Sequence, residues 1–290
     1  MPLSEAQKKL RLSGIGASDI GVLCGFDAAR GPMSVYADKL GEPVDLSGDI
    51  AVALGHYMEP FVADLYRATH PEFDVSLPCD TLVHPDHNWI MATPDRIVHA
   101  GTDKWLLEIK TVLPGTMCHW GQSGTDEVPQ KYLCQAAWQM LVTGIGECVI
   151  GRFTLWDGKL TEYLVVRDER FEKRLVSIGH GFWLKHVLPK IPPKPDGKRE
   201  TRQAMLRVFD KPRRAPREAR RDERALGDDY MLARDAFKAA TLAHDKAKNR
   251  VLAAIGDANG IECDDWSATW KADKNGKRGF RFRGDYDGGE

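Results

Sequence analysis

The stretch that most limits the fold is "MATPDRIVHAGTDKWLLEIKTV", residues 91–112, in which two short runs rich in β-branched and aromatic residues flank a Gly-containing turn. Such runs commit this part of the chain to a sheet. Period-two alternation places Glu108 and Lys110 on one face of the second run and Leu107 and Ile109 on the other. Asp95 stands just ahead of the first run and can reach the same point. Two carboxylates and an ammonium group brought together on a sheet are costly unless something neutralises them, and a hard divalent cation does so with oxygen ligands. Lys110 would then lie beside the metal and any bound phosphate, which is the arrangement used in metal-assisted phosphodiester hydrolysis. The same residue types also suit a solvated strand with alternating Glu and Lys, and the remaining segments must decide between the two.

Helical and strand-like segments alternate around this stretch. "GASDIGVLCG" reads as a helix with Ser18 and Asp19 as candidate caps. "DIAVALGHYMEPFVADLYRATH" carries Leu54, Met58, Phe61, Val62 and Leu65 at helical spacing, with Glu59 close to that apolar face. Beyond residue 112 come a helix in "PQKYLCQAAWQMLVTG", strands in "ECVIGRFTLWD" and "LTEYLVVRD", and a helix in "ERFEKRLVSIGHGFWLKHVLPKI". Strands flanked by helices on both sides predict an α/β (α+β) sandwich. The chain's 290 residues and 42% hydrophobic content suit one sizeable core with an appendage.

The prolines of "IPPKPDGK" mark a boundary, giving a domain over 1–190, a Pro/Arg-rich linker over 191–224 and a tail over 225–290. The tail reads as a long helix ending at Gly256 and a basic hairpin about Asn275-Gly276. In that hairpin Lys271, Lys274, Lys277, Arg278, Arg281 and Arg283 alternate with Trp270, Phe280 and Phe282, which suits either single-stranded nucleic acid or aromatics packed on the helix with charges outside. The six cysteines are scattered and read as reduced thiols; Cys118 beside His119 has no second pair at a metal-ligand spacing, so zinc is not expected. The start "MPLSEAQKKLRLSG" has no apolar leader, and the chain has no uncharged run of the roughly 18 residues that span a bilayer, so a cytoplasmic protein is expected.

Five ordered segments now point to one family. They are "KLRLSGIGASDI" (Lys9–Ile20), "ALGHYMEPFVADLY" (Ala53–Tyr66), "MATPDRI", "LLEIKTV" and "KYLCQAAWQMLVTG" (Lys131–Gly144). Together they resemble the lambda-exonuclease and YqaJ-type phage recombination nucleases of the PD-(D/E)XK superfamily, over roughly residues 8–188. The resemblance implies a restriction-endonuclease-like core, a mixed central sheet flanked by helices, followed by a helix and β-hairpin appendage. It implies that Asp95 and Glu108 ligate metal with the Ile109 carbonyl, that Lys110 is the catalytic lysine, and that Glu59 supports a second metal or its water. Tyr132 and Gln135 would orient the lysine or the scissile phosphate, with Gln139 doing similar work one turn on. Arg11 and Ser18 would hold a 5'-phosphate, and Thr93 stands where a phosphate-contacting hydroxyl is usual. "GASD" and the Thr before the proline depart modestly from the family's commoner "GGSD" and Ser.

By the same resemblance the activity is a Mg2+-dependent exonuclease, Mn2+ substituting, that digests linear double-stranded DNA 5' to 3' in phage or prophage recombination. The implied partners are duplex ends, further copies in a ring and a single-strand annealing protein. A metal-dependent endonuclease, or an end-binding protein without chemistry, would share the fold.

Overall fold

The computed structural model describes residues 5–42, 44, 48–113, 119–210 and 215–284, in two compact units, Met1–Pro212 and Arg213–Glu290. The first unit runs α1 (Glu5–Arg11), β1 (Ile15–Gly16), α2 (Ala17–Leu23), α3 (Pro32–Lys39), α4 (Ile50–Thr69), β2 (Asp74–Val75), β3 (Leu82–Val83), β4 (Ile90–Ala92) and β5 (Arg96–Ala100). It continues with β6 (Asp103–Val112), α5 (Gln130–Thr143), β7 (Glu147–Thr154), β8 (Lys159–Val166), α6 (Glu169–Phe182) and α7 (Arg199–Val208).

Five strands pair in the order β2-β5-β6-β7-β8, antiparallel throughout except for the central β6-β7 pair. A parallel pair needs a crossover, and α5 supplies it. On one face of the sheet Leu107, Ile109 and Phe153 pack with Val62 and Tyr66 of α4. On the other, Leu106, Cys148 and Ile150 pack with Ala136 and Met140 of α5. The alternation read from "WLLEIKTV" is therefore the actual division of β6 between two hydrophobic layers, and the mixed sheet flanked by helices is as expected. A second small sheet, β1-β4-β3, lies alongside, with β1 parallel to β4.

Local chemistry sets the ends of the two helices that matter most. Asp49 accepts the N–H groups of Ala51 and Val52 at 2.9 and 3.2 Å and so caps α4. Pro129 precedes α5 and Gly144, at φ 70, closes it in the left-handed conformation that glycine takes without strain. The fully buried Trp138 fixes α5 in place by donating its indole N–H to the carbonyls of Ile15 and Met91 at 3.3 and 3.1 Å.

Two expectations need correction. The segment 191–224 is not all linker: α7 buries Thr201 and Ala204 and packs on α3, and Lys198 Nζ donates to the carbonyls of Asp27 and Arg30 at 2.6 and 2.9 Å. Arginine density hid a helix whose few small residues, Thr201 and Ala204, face inward. The helix α2 is also not capped by Ser18. Gly16 is its N-cap, and Asp19 reaches back to accept the Gly16 N–H at 3.0 Å.

In the second unit, α8 (Arg221–Ile255) ends at Gly256 and is followed by β9 (Gly260–Glu262), β10 (Ser267–Ala272) and β11 (Arg278–Arg283). The β10-β11 turn contains Gly276 at φ 79. Register pairs Trp270 with Phe280 and Ala268 with Phe282 on one face, and Thr269 with Arg281 and Ser267 with Arg283 on the other. Ala268 is fully buried, Lys248 of α8 lies 5.4 Å over the Phe280 ring, and Arg278 stacks 3.9 Å over Trp270. The register thus puts Trp270, Phe280 and Phe282 on one face, with Arg278 among them, and Lys271, Arg281 and Arg283 on the other, Phe280 lying on the helix side. Among the described residues no helix is long and apolar enough to cross a membrane.

Candidate active site

The β5-β6 register sets Arg96 opposite Leu107, so Asp95, one residue earlier, comes abreast of Glu108. Asp95 Oδ2 accepts the Ile109 N–H at 2.7 Å. The N–H and C=O of one strand residue point to the same side, so the Ile109 carbonyl opens toward Asp95 as well.

Glu108 is 2% exposed and held from three directions. Lys110 Nζ and Gln135 Nε2 donate to its Oε1, the latter at 2.6 Å, and Gln139 Nε2 donates to its Oε2 at 2.7 Å. The i, i+4 spacing of Gln135 and Gln139 puts both amides on the face of α5 that meets β6. One turn earlier, the Tyr132 ring lies 5.0 Å from the Lys110 ammonium. Asp95, Glu108, Lys110, Tyr132 and Gln135 are therefore brought together as expected from the sequence. Gln139, expected at the substrate, is fully buried and sits behind the carboxylate, where it positions Glu108 instead of touching a ligand.

Glu59 reaches this group from α4 through a residue that the sequence did not single out. Arg96 NH1 donates to Glu59 Oε1 at 2.8 Å and to the Asp95 carbonyl at 2.6 Å, and its side chain is 4% exposed. An arginine at the start of a mostly apolar strand needs an acid nearby when it is buried. That rule, applied to "PDRIV", would have linked Arg96 to one of the helical acids.

With Glu59 answered by Arg96, two carboxylates face one ammonium. Burial and the Glu108 carboxylate push Asp95 up to about 8, against the pull of Lys110. Burial would lower Lys110, but Glu108 and Asp95 outweigh it and raise the group, so it stays an ammonium. This surplus of negative oxygen suits a hard divalent cation, with donors available from Asp95, Glu108 Oε2 and the Ile109 carbonyl. Among the described residues no three His, Cys, Asp or Glu side chains converge on one point, so the remaining donors would be water and substrate. Cys118, considered above with His119, lies outside the described residues.

The neighbouring flank is built on β1 and α2. Arg11 NH2 donates to Ser18 Oγ at 2.8 Å, and both side chains border the strand β1 that pairs with β4, the strand leading to Asp95. Beneath them Asp19 is locked to Lys39 at 2.7 Å, and Lys39 also donates to the Arg11 carbonyl at 2.9 Å. Thr93, between β4 and Asp95, shares a 2.8 Å hydrogen bond with Thr81.

Residues 7–146 match the model of the YqaJ-like viral recombinase domain. An uncharacterized protein YqaJ of Bacillus subtilis (strain 168) is 28% identical over 190 residues, which are 64% of this chain and 57% of that protein. The chain thus spans little more than half the length of that relative. Among solved structures, an alkaline exonuclease (LHK-Exo) from Laribacter hongkongensis is similar at a TM-score of 0.50 and 18% identity, over 65% of this chain and 94% of that one. LHK-Exo in complex with dAMP gives 0.52 and 20% over the same shares. At such identities the likeness establishes the fold, a PD-(D/E)XK-type mixed sheet with flanking helices. Residues 7–146, with Asp95, Glu108, Lys110 and Gln135 inside them, are thus similar to the YqaJ-like viral recombinase domain.

Proposed function

We propose that the chain is a Mg2+-dependent deoxyribonuclease that digests linear duplex DNA from its ends, 5' to 3', with Mn2+ able to replace Mg2+. The observation that carries this reading is the surplus of carboxylate over ammonium where Asp95, Glu108 and Lys110 meet, at the open end of the β5-β6 pair. A divalent cation bound there would polarise a phosphoryl oxygen and acidify a water. The chain's own part is positional. Gln135 and Gln139 fix the Glu108 carboxylate, Glu108 fixes the Lys110 ammonium, and that ammonium offers its remaining N–H groups to a phosphate oxygen or to the attacking water. Arg11 and Ser18 are the proposed grip on a terminal 5'-phosphate, where a guanidinium makes charge-assisted, often bidentate contacts. The related fold of LHK-Exo, by name an alkaline exonuclease and seen with dAMP, supports a nucleotide substrate.

The test is one gel with linear duplex, nicked circle and closed circle, each with Mg2+ and with EDTA. Loss of the linear substrate alone, and only with Mg2+, is the expected outcome. Cleavage of closed circles would replace the exonuclease with an endonuclease, and binding without cleavage would leave an end-binding protein.

A further inference from the structure

The helix α8 is 35 residues long, and every residue from 224 to 247 is exposed. Among them Leu226, Tyr230 and Phe237 are 66%, 70% and 73% exposed, an unusual state for large apolar side chains on a helix. Their spacing is not random. From Leu226 to Ala254 the residues at alternating steps of four and three are all apolar or aromatic except His244, a seam of four heptads about 42 Å long at 1.5 Å per residue. A heptad seam of that length is the signature of a coiled coil, and a coiled coil needs a second helix.

Two features of the seam specify the partner. Two positions flanking the seam carry opposite charge, Asp229 near its start and Arg250 near its end. Two such helices attract when they run in opposite directions, and the flanking position of Asp229 in one then meets that of Arg250 in the other. Side-chain size is divided in the same sense. In the antiparallel register that pairs those charges, Tyr230 falls opposite Ala247, Phe237 opposite Ala240 and Leu226 opposite Val251, so each large ring meets a small residue. A parallel pair would instead set Tyr230 on Tyr230 and Phe237 on Phe237, with alanine on alanine between them.

We propose that α8 docks on α8 of a second copy of this chain as an antiparallel, two-fold coiled coil along Leu226–Ala254. The pairing uses the tail alone, so its test reads mass and does not depend on the nuclease reading. In sedimentation equilibrium of the full chain the wild type is expected at an even multiple of the chain mass, and Phe237→Asp at half the wild-type mass. Phe237 is exposed, so the variant has no core to lose, and an unchanged circular dichroism spectrum of the variant checks this. Asp229→Arg alone and Arg250→Asp alone should each weaken association by about tenfold or more through like-charge contacts, and the double exchange should restore it. A wild type that stays monomeric at high concentration overturns the proposal. So does a closed assembly whose mass Phe237→Asp leaves unchanged, and so does a double exchange that fails to recover, which would exclude the antiparallel register.

Discussion

Two acids in the first unit each lie beside a lysine, yet they are in opposite electrostatic states. Asp19, among α1, α2 and α3, meets Lys39 at 2.7 Å and has Arg30 at 3.9 Å. Burial alone would raise its pKa, but Lys39, Arg11 and Arg30 outweigh that and hold the carboxyl far below the usual range. Asp95 has the reverse balance: burial and Glu108 push it up to about 8, and Lys110 is already engaged by Glu108. The two clusters hold similar groups in different proportion. Where cations outnumber acids the cluster locks helices together, and where acids outnumber cations it is built to take up a further positive charge.

The largest effect that can break this comparison is on hydrolysis. Asp95→Ala and Lys110→Ala should each lower the rate of digestion of linear duplex by about 10²–10³-fold at saturating Mg2+, the usual consequence of removing a preorganised electrostatic group. Circular dichroism should show both variants folded. Cleavage at the wild-type rate by either one would reduce the Asp95 cluster to a structural role.

On stability the order should invert. Asp19→Ala leaves the Lys39 ammonium, whose side chain is 3% exposed, without its partner, and breaking such a pair costs about 3–5 kcal/mol. Asp95→Ala in EDTA above pH 8, where Asp95 is ionised, removes a carboxylate that repels Glu108, so urea unfolding there should show little loss or a gain. Equal losses in the two variants would mean that the carboxylate surplus is not felt in the folded protein.

The pH dependence of stability should separate the clusters more finely. The folded pKa of Asp19 is depressed, so its contribution is complete above the ordinary value of 3.8 and is lost as pH falls below it. The folded pKa of Asp95 is raised, so in the metal-free protein its contribution is complete below 3.8 and is lost as pH rises through about 8. Thermal unfolding in EDTA should therefore lose stability on both limbs. Asp19→Asn should flatten the acid limb alone and Asp95→Asn the decline between pH 3.8 and about 8 alone, and a limb unchanged by its own variant would show that its cluster does not set it.

How much of this could be read from the sequence depended on whether a residue's partner was near it in the chain. The two faces of β6 followed from alternation, and α4 and α5 from apolar periodicity, because both signals are local. The convergence of Asp95, Glu108 and Lys110 was legible for the same reason, since one short turn joins their strands. Arg96 was missed because its acid, Glu59, lies 37 positions away on a helix, and no periodicity records a buried ion pair. Gln139 was placed wrongly because helical spacing fixes its face and not its depth. The helix α7 was hidden by its arginines, of which Arg199 and Arg202 are exposed and Arg207 turns back onto Asp38 of α3, and α3, whose partner it is, has only Pro32 at its start to signal a helix.

The smallest effect belongs to the tail, and the position of the cut decides it. A chain ended after Pro189 lacks α7, exposing the α3 surface that Thr201 and Ala204 cover and removing the Lys198 contacts to Asp27 and Arg30. Ending it after Asp210 keeps α7 and every side chain of the candidate site. Since residues up to Pro212 form a compact unit, the longer fragment should fold, bind Mg2+ and cleave duplex ends in a single turnover at close to the full-length rate. The shorter fragment should lose stability by several kcal/mol, the usual cost when fully buried residues are stripped from a core. Side-by-side urea melts and single-turnover rates of the two fragments would measure this directly. If the fragment ending at Asp210 also unfolds or loses its rate, the second unit completes the first, and the division at Pro212 is geometric only.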